Sequence, residues 1–159
     1  MIAELFYKGY KKQYTMSTRK MLAIVERGAG KRNFTCFTPE SIDGYGLTGA
    51  GATAREAMED IKVSLKEMRE LAAEEGKELP DVEFDFRFDV GAFFDYYPLD
   101  ATAVAKYIGI SPSLLRQYVS AIKQPTQKQL EKIKNGLESL VQDLGQGLML
   151  SCPPSSYVR

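Results

Sequence analysis

An α+β fold is predicted for this 159-residue chain. A three-strand, helix, strand arrangement makes an N-terminal sheet domain, and a small all-α helix-turn-helix domain follows. Three observations predict it. Val82, Phe84, Phe86, Phe88 and Val90 alternate with Glu83, Asp85, Arg87 and Asp89, the period of a strand with one covered face and one wet, mostly acidic face. Ala54, Ala57, Met58, Ile61, Leu65, Met68 and Leu71 recur at three and four residues, the stripe of a helix laid on a core. Residues 99–144 carry the spacing of two short helices joined at Gly109 and followed by a longer one.

The elements follow in chain order. Residues 1–20 mix Lys8, Lys11, Lys12, Arg19 and Lys20 with Phe6, Tyr7, Tyr10 and Tyr14 without a period. They read as a flexible basic arm, or as an extension ahead of a start near Met16 or Met21. The sheet domain is assigned to residues 21–90. It begins with an apolar strand at 21–25, a loop carrying Gly28 and Gly30, and a second strand at 34–38 rich in aromatic and β-branched residues. A loop at 39–46 leads to a short third strand at 47–51. Thr53 and Glu56 form a capping box that opens the helix, and Gly76 ends it. Pro80 precedes the alternating strand. Phe93, Phe94 and Tyr97 then make a packing turn into the helix-turn-helix domain, residues 91–144.

In that domain Asp100 caps a helix that ends at Gly109, which is free to take the left-handed turn conformation. Ser111 caps the next helix, and Pro112 suits its first position, where no backbone N–H is needed. Ala105 is small where the helices cross, and Ile110, Leu115 and Tyr118 pack the second helix back on the first. Pro112, Ser113, Arg116, Gln117 and Ser120 are left facing outward. Arg and Gln pair bidentately with guanine and adenine edges, so Arg116 and Gln117, with Ser113, are the candidate base readers. Ser111, Ser120, Lys123 and Lys128 are the candidate phosphate contacts, with Lys106 assisting from the first helix. Thr126 and Gln129 form a second capping box. Leu130, Ile133, Leu137, Leu140, Val141 and Leu144 stripe the final helix, with Gly136 placed to bend it. Residues 145–159, with adjacent prolines and three serines, read as a disordered tail.

The composition is 44% hydrophobic and 26% charged, with no run near the roughly 20 apolar residues of a membrane span. No secretory leader is read at the N-terminus, so a cytoplasmic protein is expected. Cys36 and Cys152 lie far apart, without a CxxC pair and without a histidine in the chain, so neither metal nor cofactor is expected. The zero net charge conceals a division. Residues 1–30 carry six basic and two acidic side chains, residues 31–98 eight and fifteen, and residues 99–159 seven and four. The basic last third suits phosphate, whereas the acidic middle suits a basic protein. Its candidate contacts are Glu40, Asp43, Glu59, Glu67, Glu70, Glu74 and Glu75.

The chain resembles the HicB antitoxin family. The strand at 21–26, the block Tyr45-Gly46-Leu47-Thr48-Gly49-Ala50-Gly51-Ala52-Thr53, and Ala54-Arg55-Glu56-Ala57 at the helix start carry the likeness. It continues in Glu74-Glu75-Gly76-Lys77-Glu78-Leu79-Pro80 and in a last third similar to Cro/repressor helix-turn-helix units, through Tyr118 and Lys123-Gln124-Pro125. It departs from the pattern at Ala121, where such repressors often carry glycine. The helix that usually leads into the motif is reduced, and the loop at 38–46 lacks the usual Cys. The resemblance implies a partial ribonuclease-H-like sheet domain that blocks a small basic HicA-type toxin ribonuclease. It also implies a C-terminal part that binds operator DNA as a homodimer or homotetramer, over half-sites about 34 Å apart. An orphan regulator without a toxin, or an adaptor that binds only protein, would show the same elements.

Nuclease activity is not expected. Ribonuclease H chemistry needs carboxylates converging on two metal ions. Glu83, Asp85 and Asp89 share one strand face, Glu26 ends its strand, and no acid stands mid-strand in the first strand.

Overall fold

A computed structural model describes residues 18–28 and 32–148. The arm up to residue 17, Gly30, and the tail from residue 149 with Cys152 lie outside the described residues. The strands are β1 (Arg19–Arg27), β2 (Phe34–Phe37), β3 (Thr48–Gly51) and β4 (Val82–Phe88). The helices are α1 (Ala54–Glu74), α2 (Val90–Tyr96), α3 (Ala101–Ile108), α4 (Pro112–Val119) and α5 (Gln127–Gly147). A four-stranded sheet followed by helices is the α+β arrangement expected. No helix among the described residues is long and apolar enough to cross a membrane.

The sheet order is β3-β2-β1-β4. β1, β2 and β3 form an antiparallel meander, whereas β4 pairs parallel to β1, setting Met21 beside Phe84, Ala23 beside Phe86 and Val25 beside Phe88. A parallel return needs a crossover of a dozen residues or more, and α1 provides it. α1 buries Ala54, Ala57, Met58, Ile61, Leu65, Met68 and Ala72 against Met21, Ala23, Val25, Phe34 and Cys36. The expected stripe is corrected at its end. Leu71 is 47% exposed and Ala72 takes the buried place, because the helical period carries the covered face from Met68 to the residue four later.

Caps and edges account for the other differences. Thr53 accepts the Glu56 N–H at 3.1 Å, but the Glu56 carboxylate accepts from Ala52 N–H at 2.8 Å rather than from Thr53, so the box is half-formed. β1 starts at Arg19, two residues earlier than expected, because the Arg19 N–H donates to the Asp81 carbonyl at 2.7 Å. Leu47 lies just outside β3 and is buried, donating its N–H to Thr38 Oγ1 at 3.3 Å. Val90 is not a strand residue. Asp89 caps α2 by accepting the Ala92 N–H at 2.7 Å, and the helix begins there. Val82, Phe84, Phe86 and Phe88 are half-buried rather than buried, since β4 is an edge strand. At the other end, residues 145–147 continue α5 instead of starting the tail.

Cys36 is fully buried in β2, and that burial pushes its thiol up to about 11. The thiolate is the reactive form, so Cys36 is expected to resist iodoacetamide at pH 8 in the native protein. Mass spectrometry before and after denaturation checks this, and rapid native labelling of Cys36 would contradict it.

α2 joins the two halves of the chain. It gives Ala92 to the core under α1 and Phe94 to a second core with Val104, Ala105, Leu115, Tyr118 and Ile133. Arg27 crosses the same joint. Its guanidinium donates to the Val119 carbonyl at 3.1 Å, and its backbone N–H donates to Asp89 Oδ2 at 3.0 Å. Gly91 must be glycine here, since a Cβ would stand 2.8 Å from Arg27 Cβ and 3.0 Å from the Val119 carbonyl oxygen.

Burial raises the Asp89 pKa above its ordinary value, against the pull of N–H donors from Ala92, Arg27 and Gly91 and of the Arg27 charge. A raised folded pKa favours folding most at acid pH, and that contribution is lost as pH rises through it. Asparagine keeps the cap and carries no charge to bury, but its amide sets a donor where Asp89 Oδ2 accepts the Arg27 N–H. Asp89→Asn is therefore expected to remove this pH dependence, so that the variant's stability relative to wild type is higher at pH 7 than in the carboxylate range. Urea melts at both pH values check it, and a variant whose relative stability rises as the pH falls would contradict it.

Candidate nucleic-acid interface

Local capping chemistry fixes the two short helices. Asp100 Oδ1 accepts the Ala103 N–H at 2.6 Å and starts α3. Gly109 ends it at φ 71° and ψ 39°, a left-handed conformation in which the N–H groups of Gly109 and Ile110 both reach the Ala105 carbonyl. Ala105 and Leu115 are fully buried where the helices cross, and Val104 and Tyr118 close the contact. Ile110 is half-buried beside them. Pro112 occupies the first turn of α4 as expected. Ser111 stands at the N-cap position, but its side chain makes no capping bond, so its exposed hydroxyl is available to an outside acceptor.

The outward residues divide by what already holds them. Ser113, Arg116, Lys106, Lys123 and Lys128 are exposed, whereas Pro112, Gln117 and Ser120 are partly covered. Arg116 donates to Thr102 Oγ1 at 3.0 Å, a contact that sets the guanidinium beside α3. Ser120 is engaged differently, because its hydroxyl donates to the Arg116 carbonyl at 2.7 Å. Its proton is thus in use, and Ser120 is the weakest of the expected phosphate contacts. Lys123 follows a tight turn in which the N–H groups of Ile122 and Lys123 reach the Gln117 carbonyl at 3.0 and 3.2 Å. That turn holds Ala121 at φ 55°, the position where the resembled repressors carry glycine and where a side chain is strained.

α5 braces the pair. Thr126 and Gln129 make the full capping box expected, which places Lys128 in the first turn. Lys132 donates to the Gly109 carbonyl at 2.8 Å, and Tyr107 donates to Asp143. Gly136 lies within one continuous helix, α5. It is the crossing point of α5 with α3, where a Cβ would lie 2.3 Å from Ile108 Cγ2. The contacts of Thr102, Lys132 and Gly136 are not readable from sequence, since their partners lie on other helices or beyond the turn.

The two charged surfaces differ in one respect. Lys106, Arg116, Lys123 and Lys128 have no carboxylate within 4.0 Å among the described residues. The acids are more often paired: Glu40 with Arg19, Glu59 with Lys62, Glu70 with Lys66 and Glu75 with Lys77. Glu75 also accepts from the Tyr45 hydroxyl at 2.9 Å, and the Lys77 and Tyr45 hydrogen bonds hold its pKa below the usual carboxylate value. That bond ties the loop of Glu40 and Asp43 to the end of α1 that bears Glu74 and Glu75. Glu59 lies toward the other end. Asp43, Glu67 and Glu74 are exposed, with no ion-pair partner among the described residues.

Compared with protein-family models, with curated proteins and with solved structures, the chain finds no match.

Proposed function

We propose that this chain is an antitoxin-type transcriptional repressor that binds operator DNA through α3 and α4. One observation carries the reading: four exposed cations around the helix-turn-helix have no carboxylate partner among the described residues, beside exposed Ser113 and partly covered Gln117. Exposed, unpaired cations are what displaces counterions from a phosphate backbone. α4, held by the Gly109 turn, would enter the major groove, with Arg116, Gln117 and Ser113 at base edges. Ser111, Lys123, Lys128 and Lys106 would fix its register on phosphates. No step requires a metal, a cofactor or catalysis.

Toxin neutralisation belongs to the same proposal and rests on the HicB resemblance and the acidic middle of the chain. A small basic ribonuclease would meet Asp43, Glu67 and Glu74 first, and would compete with lysine for Glu59, Glu70 and Glu75. A regulator without a toxin is the second reading, favoured by the local pairing of four of the seven acids. Exposed pairs of this kind contribute at most about 1 kcal/mol each, so they weaken a docking surface without abolishing it.

Two substitutions test the DNA docking. Arg116→Ala is expected to cost about 1–3 kcal/mol on operator DNA and to relax discrimination at one base pair. Lys123→Ala should weaken all duplexes alike and lessen the salt dependence. Anisotropy titrations against the operator and its single-base variants check both. Unchanged operator affinity in Arg116→Ala would contradict this docking.

A further inference from the structure

The C-terminal end of α4 is completed from outside its own unit. The last four carbonyls of a helix have no partner within it. In α4 three of them are met nearby: Arg116 by the Ser120 N–H, Tyr118 by the Ala121 N–H, and Gln117 by those of Ile122 and Lys123. The fourth, Val119, has no local donor among the described residues. Its donor is the Arg27 guanidinium at 3.1 Å, 92 residues earlier in the chain. Arg27 is the last residue of β1 and is held on two sides. Its backbone N–H donates to Asp89 Oδ2 at 3.0 Å, and its guanidinium lies over the Phe34 ring, 5.5 Å from the centroid. No carboxylate lies within 4.0 Å of that guanidinium among the described residues, so its charge is directed at a carbonyl rather than at an ion pair. A cation at a helix C-terminus also meets the negative end of the helix dipole.

We infer that Arg27 is a positioning residue for α4: delivered by the sheet domain, it caps the end of the helix that carries Arg116 and Gln117 and holds that end in one orientation. Two further observations mark a built contact. A Cβ at Gly91 would stand 2.8 Å from Arg27 Cβ and 3.0 Å from the Val119 carbonyl oxygen, so β1, α2 and α4 meet with no room to slide. The turn after α4 holds Ala121 at φ 55°, which is strained for a residue with a side chain. Without its cap, this end of α4 would fray first. Arg116 and Gln117 lie within one turn of Val119, and Lys123 sits in the turn that follows. Fraying would therefore disperse three of the proposed DNA contacts although Arg27 touches none of them. The sheet domain and the helix-turn-helix thus act as one unit rather than as two independent modules. The effect on operator DNA rests on the DNA-binding reading; the cap itself does not.

Hydrogen exchange of the full chain without DNA tests the cap. In Arg27→Met the amides of residues 120–123 should exchange about tenfold faster, the effect of losing one hydrogen bond from a charged donor. Amides around Ile61 in α1 should keep their wild-type protection. Gly91→Ala, which leaves Arg27 in place but wedges the joint, should show the same local loss. Arg27→Lys should recover part of the protection, since lysine brings a charge and a donor but not the planar fork. Anisotropy against the chain's own upstream duplex then tests the positioning. Arg27→Met should weaken binding by about three- to tenfold, because fewer molecules hold α4 in the competent orientation. The slope of affinity against salt should not change, since Arg27 is turned to Val119 and not to phosphate. Arg87→Met, which removes an exposed cation from the same sheet, should leave both readings at wild type. Unchanged exchange at 120–123 in Arg27→Met, or an equal rise throughout the protein, would overturn the cap. Unaffected binding, or a salt slope reduced by about one phosphate contact, would overturn the positioning role. A wild-type chain that fails to bind, while Arg27→Met shows the local loss, would overturn the operator reading and with it the positioning role, but not the cap.

Discussion

Gly49→Val is expected to destabilise the protein by about 3 kcal/mol or more, a large share of its total stability. The reason is how closely α1 lies on β3. A Cβ at Gly49 would stand 2.4 Å from the Ile61 backbone nitrogen and 2.5 Å from the Ala57 carbonyl oxygen. These are backbone atoms of a 21-residue helix, so no rotamer change relieves the clash, and the helix must lift. Lifting it opens the core around Ala57, Ile61 and Cys36, all fully buried. Overpacking that forces a backbone shift costs about 1–3 kcal/mol for smaller insertions than this, against a total stability of roughly 5–15 kcal/mol. Urea denaturation of Gly49→Ala and Gly49→Val checks it, with valine the worse of the two. A loss below about 1 kcal/mol for valine would mean that helix and strand are farther apart than described.

The second large effect is at Gly136, where two rules disagree in sign. Helix propensity alone says that Gly136→Ala should stabilise α5 by about 1 kcal/mol. Packing says the opposite, because the new Cβ would lie 2.3 Å from Ile108 Cγ2 and 2.6 Å from Ile108 Cβ. The second atom is next to the backbone, so α3 and α5 must separate. We expect a net loss of about 2 kcal/mol for alanine and more for valine. Separation would also strain the Lys132 bond to the Gly109 carbonyl and the Tyr107 bond to Asp143, which brace the helix-turn-helix. Operator binding should then weaken although no DNA-facing residue has changed. Stabilisation by Gly136→Ala would contradict the tight crossing.

What the sequence reveals here is local chemistry. Asp100, Thr126 and Gln129 cap helices as their types suggest, and Gly109 adopts the left-handed turn its position requires. The α1 stripe and the β4 alternation identify a helix and a strand, because both periods follow from backbone geometry. What stays hidden depends on distant partners. The Arg27 guanidinium meets Val119, 92 residues away, and Thr102 meets Arg116 only because two helices cross. That β4 lies at an edge, leaving its phenylalanines half-covered, is a fact of strand order that alternation does not encode. Gly136 looks like a weak point in a helix until Ile108 is placed against it. The final stripe illustrates the converse: Val141 and Leu144 have core-like spacing yet lie exposed, because none of the described elements covers them.

The most direct test of the central claim is fluorescence anisotropy of the protein against its own upstream DNA and a scrambled duplex across a salt series. The account predicts selective binding to the upstream duplex, with affinity falling steeply as salt rises, as expected when several lysines and arginines displace counterions. Equal weak binding to both duplexes, or none, would contradict the operator reading and leave the acidic sheet domain as the basis of a protein-binding role.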